Sequence, residues 1–387
     1  MAGPTVVILG AGVGGLVAAR ALRRRLGPSG RVVVVEQEET HVFAPSLLWL
    51  MVGQRQAPEI SRPFARLARK GLEVVSGRAV AIDPQTRTLV LQDGTSVRGD
   101  YLLLSPGAAM VPEAIPGLSE AGHNFYTLDG AERLRQALAT LRGGRVVVLV
   151  ASLPYKCPAA PCEAAFLIDA FFRREGIRPA LDLALYTPEP GPMPVAGPAL
   201  SGAVVQMLQD RDIGYFPQHS VVAVDPQERS LRFSNGTVAP YDLLAYVPPH
   251  RPPALLQNSD LGGRNGWISV DPGTLQTSFP GVFGLGDATE ILLPAGLPLP
   301  KAGVFAHEQA EVIARNIARE VRGQGKVASF DGRGSCFIEL GEGRAGFARG
   351  SFYHEPRPQV KMYAPCWCWH WLKVIFEKLW LWESFGG

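Results

Sequence analysis

The chain has 387 residues, 47% of them hydrophobic and 19% charged. That composition is globular and leaves room for two or three domains, each with its own core. Lys and Arg total 38 against 35 Asp and Glu, a net charge of +3 without a basic block, which gives no case for nucleic acid as a partner. Five cysteines (Cys157, Cys162, Cys336, Cys366, Cys368) in so long a chain exclude a small disulfide scaffold, and none is spaced C-x2-C, so no metal site is expected. No leader is expected ahead of the first strand. No run of about 18 apolar residues suggests a transmembrane helix.

The first strand, Thr5 to Leu9, runs into Gly10-Ala11-Gly12-Val13-Gly14-Gly15 and a helix, Leu16 to Leu26. A second strand, Arg31 to Val35, ends in Glu36. This is G-x-G-x-x-G in its required strand–turn–helix setting. Gly10 permits the turn, Gly12 admits a pyrophosphate to the backbone, and Gly15 lets helix and strand close on each other. Glu36 suits a ribose 2′-hydroxyl and disfavours a 2′-phosphate, so FAD or NAD is expected and NADP is not. The plainer alternative is a glycine-rich turn in an ordinary βαβ unit. Leu72 to Asp83 and Thr86 to Leu91 read as strands. Tyr101 to Ser105 reads as a buried strand ending in Pro106-Gly107-Ala108-Ala109, and Gly107 counts with the cofactor-binding residues. A Pro-linked crossing then leads to a helix, Asp129 to Leu141.

Val146 to Val150 is a further buried strand, followed by a turn and a helix opening at Glu163. A second dinucleotide unit would carry its glycine loop here. Pro154, Pro158 and Pro161 stand there instead, with Cys157 and Cys162 between them. The stretch reads as a nucleotide site given over to thiol chemistry. A neighbouring cation or helix N-terminus lowers a thiol pKa; Lys156 adjoins Cys157, and Cys162 immediately precedes the helix. Either cysteine is alternatively a small buried hydrophobe. Glu163 serves either as a base near the thiols or only as an acid in the first helical turn. Strands at Leu181 to Tyr186, Ser220 to Val224 and Ser230 to Phe233 follow, with a helix from Leu200 to Asp210. Tyr241 to Tyr246 then echoes the Tyr101 strand, so the chain reads as an internal duplication of a βαβ unit with a meander.

Gly281 to Thr289 brings a strand into Gly286-Asp287, ahead of a helix from Val304 to Val321. Asp287 either caps a turn or reaches a ribityl hydroxyl of a flavin. Lys301 is either solvated or the cation that stabilises an anionic reduced flavin near N1 and O2. The seven histidines are scattered and read as surface or capping residues, with His307 the best placed to carry a proton. From Tyr363 to Phe385 lie five of the seven tryptophans, and Trp371, Leu372, Ile375, Phe376, Leu379, Trp380 and Leu381 alternate with Lys373, Glu377 and Lys378. This is an amphipathic helix, either lying in a membrane interface, which tryptophan favours, or packed on the core or a second copy.

With Gly10-x-Gly12-x-x-Gly15, Glu36, Tyr155-Lys156-Cys157-Pro158, Gly286-Asp287-Ala288, Pro300-Lys301-Ala302-Gly303 and Gly334-Ser335-Cys336-Phe337 in place, the chain resembles the two-dinucleotide-binding-domain flavoproteins. Within them it is most similar to the sulfide:quinone oxidoreductase and flavocytochrome c sulfide dehydrogenase flavoprotein family. The resemblance implies an α/β fold of two Rossmann-type domains with a C-terminal, membrane-facing segment. It divides the chain into a first FAD-binding part (1–110), a second Rossmann-like domain with a degenerate NAD site (111–240), a return FAD-binding part (241–322) and a C-terminal segment (323–387). It implies a redox disulfide of Cys157 and Cys336 that sulfide attacks, with two electrons passing to FAD and on to a quinone or a cytochrome. Cys162 is then an accessory thiol or a packing residue. No cysteine precedes Cys157, so the FAD is expected to be noncovalent. Sulfide, a membrane quinone and the membrane surface are the implied partners, on the cytoplasmic face of the cell membrane, and a homo-oligomer is compatible with this reading. Competing readings are a sulfide dehydrogenase that donates to a cytochrome, a type II NADH:quinone reductase and a non-catalytic redox-sensing flavoprotein.

Overall fold

In the computed structural model, which describes residues 3–257, 259–263 and 265–386, two parallel five-stranded sheets carry the chain. Met1 and Ala2, part of the stretch read for a leader, lie outside the described residues. The first sheet runs Val282–Gly284, Tyr101–Leu104, Thr5–Leu9, Arg31–Glu36, Glu73–Ser76. The second runs His123–Asn124, Leu243–Val247, Gly144–Val150, Leu181–Tyr186, Ile213–Phe216. Each parallel sheet is covered on both faces, by helices on one and by an antiparallel meander on the other, so its strands need apolar side chains in both directions. Val6, Val7 and Ile8, and Val146 to Val150, are accordingly all buried.

The duplication read from the sequence is visible position by position. Tyr101–Leu104 flanks Thr5–Leu9 as Leu243–Val247 flanks Gly144–Val150, and each follows a three-stranded antiparallel meander. The long strand expected from Leu72 to Asp83 is two, Glu73–Ser76 and Ala79–Asp83, because the chain leaves one sheet at Gly77 to enter the meander. A boundary at 241 falls ahead of Leu243–Val247, which pairs with Gly144–Val150 in the second sheet. The return crossing comes later, where His250–Arg251 pairs antiparallel with Ala109–Met110 of the outward crossing.

Beyond the helix Gly303–Arg322, three antiparallel strands, Arg333–Gly341, Arg344–Ser351 and Gln359–Cys366, form a sheet of their own. Its first strand packs on the helix Ala160–Arg174. The C-terminal helix Trp367–Phe385 packs back over this sheet and onto the first unit. Its faces are the inverse of a soluble amphipathic helix. Lys373 and Glu377 point inward, 6% and 0% exposed, while Trp367, Trp371, Leu372, Ile375, Leu379 and Trp382 lie outward, Trp367 at 69% and Trp382 at 63%. Trp380, Leu381 and Phe385 complete the buried face. Among the described residues no helix is long and apolar enough to cross a membrane.

Candidate active site

The N-terminal loop is shaped for a dinucleotide. Gly10 has φ +89°, and a Cβ there would stand 2.4 Å from the Ser105 carbonyl oxygen. A Cβ on Gly15 would stand 1.8 Å from the Gly10 carbonyl oxygen, so both positions demand glycine. Gly12, by contrast, faces open space, and the helix Val13–Leu26 begins there without a side-chain cap. Its first N–H groups and dipole are thereby left for an anion. Glu36 closes the loop from the next strand: one carboxylate oxygen accepts the Ala11 N–H at 2.7 Å, the other those of Gln37 and Glu38. Gly107, at φ +72°, also has no atom within 4 Å of an added Cβ.

The return loop meets it from the first sheet's edge. Gly286 donates its N–H to Gln309 at 2.7 Å, which aims the turn so that the Asp287 carboxyl stays accessible. Desolvation raises the Asp287 pKa, while Lys156 and Lys301 pull it back. Lys301 is not a solvated lysine. It is 8% exposed, donates to the carbonyls of Asp287 at 2.8 Å and Thr289 at 3.0 Å, and lies 3.4 Å over the Trp267 ring. Burial lowers its pKa to about 8. An uncapped helix N-terminus, open glycines and an accessible Asp287 carboxyl are the donor and acceptor set a dinucleotide flavin requires, so these residues fit FAD.

The thiol loop is clamped against the return loop. Cys157 donates its N–H to the Lys301 carbonyl at 2.7 Å, Tyr126 donates its hydroxyl to the Lys156 carbonyl at 2.8 Å, and the Ala160 N–H is donated to the Cys157 carbonyl at 3.0 Å. These bonds hold Cys157 at φ +56°, a conformation rare for a residue with a side chain and characteristic of functional loops. The helix begins at Ala160, not at Glu163, so Cys162 lies within its first turn. Cys157, Cys162 and Cys336 are free thiols here; Cys336 is exposed, Cys157 half-buried and Cys162 buried.

Cys157 and Cys336 share one electrostatic environment. Desolvation raises the Cys336 thiol well above its ordinary value although the residue is exposed; Cys157 and Glu163 add to the rise, and Lys373 opposes it. The expected lowering of Cys157 by Lys156 is not found. Burial pushes its thiol up to about 12, Glu163 raises it further, and the opposing cation is Lys373.

Lys373 is therefore a site residue that the sequence did not disclose. Its ammonium is bonded to the Glu163 carboxylate at 2.6 Å and lies 5.0 Å over Trp49. Burial would lower its pKa, but Glu163 and Glu339 together outweigh this and raise it. The same Glu163 oxygen accepts the Glu339 N–H at 2.9 Å, and the Glu339 carboxylate meets His370 Nδ1 at 3.0 Å. The C-terminal helix thus sends a cation and an imidazole to the elements that bear the two thiols.

The model of the pyridine nucleotide-disulphide oxidoreductase family matches residues 4–153. The mitochondrial sulfide:quinone oxidoreductase of Mus musculus is 28% identical over 91% of this chain and 79% of its own length. The sulfide-quinone reductase of Aquifex aeolicus (strain VF5) is 26% identical over 99% of this chain and 91% of its own length. The crystal structure of the sulfide:quinone oxidoreductase from Aquifex aeolicus superposes with a TM-score of 0.88 at 25% identity, covering 98% of this chain and 91% of that one. Over nearly its whole length the chain is similar to sulfide:quinone oxidoreductases.

The loop where a second nucleotide would sit is filled from within. The Tyr155 hydroxyl donates to the buried Glu189 carboxylate at 2.7 Å, and Cys162, 3% exposed, lies nearby with its thiol raised by burial and then by Glu189. Cys162 is a packed, protonated thiol and not an ionised one. Two histidines contradict the expectation of surface roles. His250 is fully buried, edge-on to Tyr126 and lowered to about 3 by burial and then by Lys156. His41, lowered to about 4 by burial, meets the Trp380 indole N–H at 3.3 Å. His307 lies against the Trp380 ring.

Proposed function

We propose that the protein oxidises sulfide with a quinone as acceptor, through noncovalent FAD and a redox disulfide of Cys157 and Cys336. The observation that carries this reading is the common environment of these two thiols, between the clamped loop and the Glu163–Lys373 pair and beside a flavin-shaped loop.

Hydrosulfide attacks one sulfur of the disulfide, which breaks the S–S bond, forms a persulfide on one cysteine and releases the other as a thiolate. Lys373 acts on both sulfurs and offsets the cost of that buried anion. Burial, which pushes the free Cys157 thiol up to about 12, disfavours a free thiolate nucleophile, which suits a disulfide electrophile as the form that sulfide meets. The clamps on Cys157 fix the direction from which its sulfur is attacked. A second hydrosulfide takes the outer sulfur away as a hydrodisulfide and leaves two cysteine thiols; when bound, FAD would supply the two-electron acceptor through which that dithiol returns to the disulfide and from which the quinone is reduced. Lys301, fixed on the return loop, supplies positive charge there, and Gly10, Gly12, Gly15, Glu36, Gly107, Gly286 and Asp287 hold the dinucleotide.

The outward apolar face of Trp367–Phe385 supports a hydrophobic acceptor taken at a membrane surface, in preference to a soluble cytochrome. Anaerobic titration with sulfide should bleach the flavin, and a short-chain quinone should restore it. A flavin that stays oxidised in excess sulfide refutes the proposal.

A further inference from the structure

Cys366 and Cys368 take no part in this reaction, yet they are bonded to each other across a single residue. So short a ring constrains the unfolded chain little, so global stability is not what it contributes. Its position indicates a local role. Cys366 is the last residue of the strand Gln359–Cys366 and the N-cap of the helix Trp367–Phe385, and Cys368 is the second helical residue. A helix normally closes this end with a side chain that accepts a first-turn N–H. Here no such hydrogen bond is made and the first turn holds no acid. The disulfide takes the place of the cap and fixes the turn that leads to His370 and Lys373. Both sulfurs belong to half-buried residues beside the exposed Trp367, so a small nucleophile has access.

We propose that the Cys366–Cys368 disulfide is a second point of attack for hydrosulfide, separate from Cys157 and Cys336, and that opening it loosens the head of the C-terminal helix. The choice of nucleophile rests on the proposed function. In the step, HS⁻ forms a bond to one cysteine sulfur while the S–S bond breaks. The product is one persulfide (Cys–S–SH) and one thiolate, and no outside oxidant or reductant is consumed. The thiolate is released at the N-terminus of a 19-residue helix, which makes it a good leaving group.

The test uses full-length Cys157→Ser enzyme, in which turnover and its polysulfide products are absent, so hydrosulfide is the only sulfur donor. After anaerobic exposure to excess sodium hydrosulfide and alkylation, the tryptic peptide Met362–Lys373 should carry one added sulfur atom and two alkyl groups. In a Cys157→Ser, Cys368→Ala variant the same peptide should gain no sulfur, because a free thiol is no electrophile. Hydrogen exchange at the amides of Trp371 to Lys373, the first with partners inside the helix, should quicken about five- to tenfold on opening, the loss expected for a cap. A peptide that stays disulfide-linked and unalkylated until it is denatured and reduced overturns the proposal. So does sulfur uptake by the Cys368→Ala variant, or an exchange rate that does not change. None of these readouts involves flavin reduction, so a failure of the proposed function in the titration above is told apart from a failure here.

Discussion

Replacing Lys373 by Met removes the cation from the Glu163 pair and leaves every backbone contact in place. Lys373 is 6% and Glu163 2% exposed, and the ion pair is 2.6 Å long. Removing one member of such a pair strands the other charge in a low-dielectric interior, a loss of about 3–5 kcal/mol. The Glu339 N–H is the contact that remains to Glu163. Glu163→Gln on top of Lys373→Met removes the stranded charge and keeps an acceptor for that N–H, so the double variant should return to within about 1 kcal/mol of wild type. Urea midpoints of the four proteins at pH 7, converted with a common slope, give the coupling energy; because Glu163→Gln alone also strands the Lys373 charge, it should exceed the roughly 2–4 kcal/mol that separate Lys373→Met from the double variant. Stopped-flow mixing with sulfide should show flavin reduction slowed in both variants lacking Lys373, because the leaving thiolate has lost its cation. If Lys373→Met costs less than about 1 kcal/mol, or if Glu163→Gln fails to rescue it, the pair is not the buried charge unit described above.

Cys157→Ser and Cys336→Ser should each abolish sulfide-dependent flavin bleaching, whereas Cys162→Ala should keep most of it, since Cys162 is a packed neutral thiol; bleaching spectra of the three variants decide. Acid precipitation should release all the flavin, and yellow colour in the pellet would contradict noncovalent binding. NADH should not reduce the flavin at a rate that competes with sulfide, because the loop from Ala151 to Pro161 lacks the required glycines and Tyr155 is bonded to Glu189 across it. Paired Trp371→Ser and Leu379→Ser changes remove two large apolar groups, 56% and 50% exposed, from the outward face. A loss of about 2–3 kcal/mol predicts roughly 30- to 140-fold weaker liposome binding with an unaltered melt. Deleting the helix instead would strip Lys373, Glu377, Trp380 and Phe385 from the interior and unfold the protein.

What the sequence made legible was local and periodic. Gly10, Gly12 and Gly15 stand next to one another in the chain, and their roles follow from spacing alone. The degenerate second loop was equally visible, because prolines had replaced glycines at a fixed place after a strand. The charge partners were not. Glu163 and Lys373 are 210 residues apart, and no pattern in either segment announces the other. The same blindness left the faces of the C-terminal helix unassigned. Its amphipathic period was readable, but period does not tell which face is core, and Lys373 and Glu377 hold their inward positions through Glu163 and Arg55. Adjacent charge proved a poor guide to the thiols: Lys156 is next to Cys157 in the chain, but burial dominates and the cation that acts is Lys373.

Burial also sets the behaviour of Glu189. Its carboxylate is 7% exposed and accepts hydrogen bonds from Tyr155 at 2.7 Å and Thr187 at 3.3 Å. Desolvation raises its pKa from 4.5 to about 7, and the two hydrogen bonds only partly oppose this. A raised folded-state pKa means that the native protein binds the proton more tightly than the unfolded chain. The stabilisation is therefore complete below about pH 4.5 and is lost as pH rises through 7. A shift of this size corresponds to about 3 kcal/mol across that window. Tyr155, Cys162, Tyr126 and Tyr215 are the titratable groups whose pKa values Glu189 raises, and all four stay neutral there, so none masks the effect. Glu189→Gln keeps an acceptor for the tyrosine hydroxyl but cannot ionise. Near pH 4.5 it should match wild type, and its advantage should grow towards about 3 kcal/mol by pH 8. Urea midpoints measured at intervals across that range test this, and a difference between the two proteins that is constant with pH would show that Glu189 is not buried in the form described. The carboxylate braces the loop that carries Cys157, so the pH at which it becomes charged is also the pH at which that loop should begin to loosen.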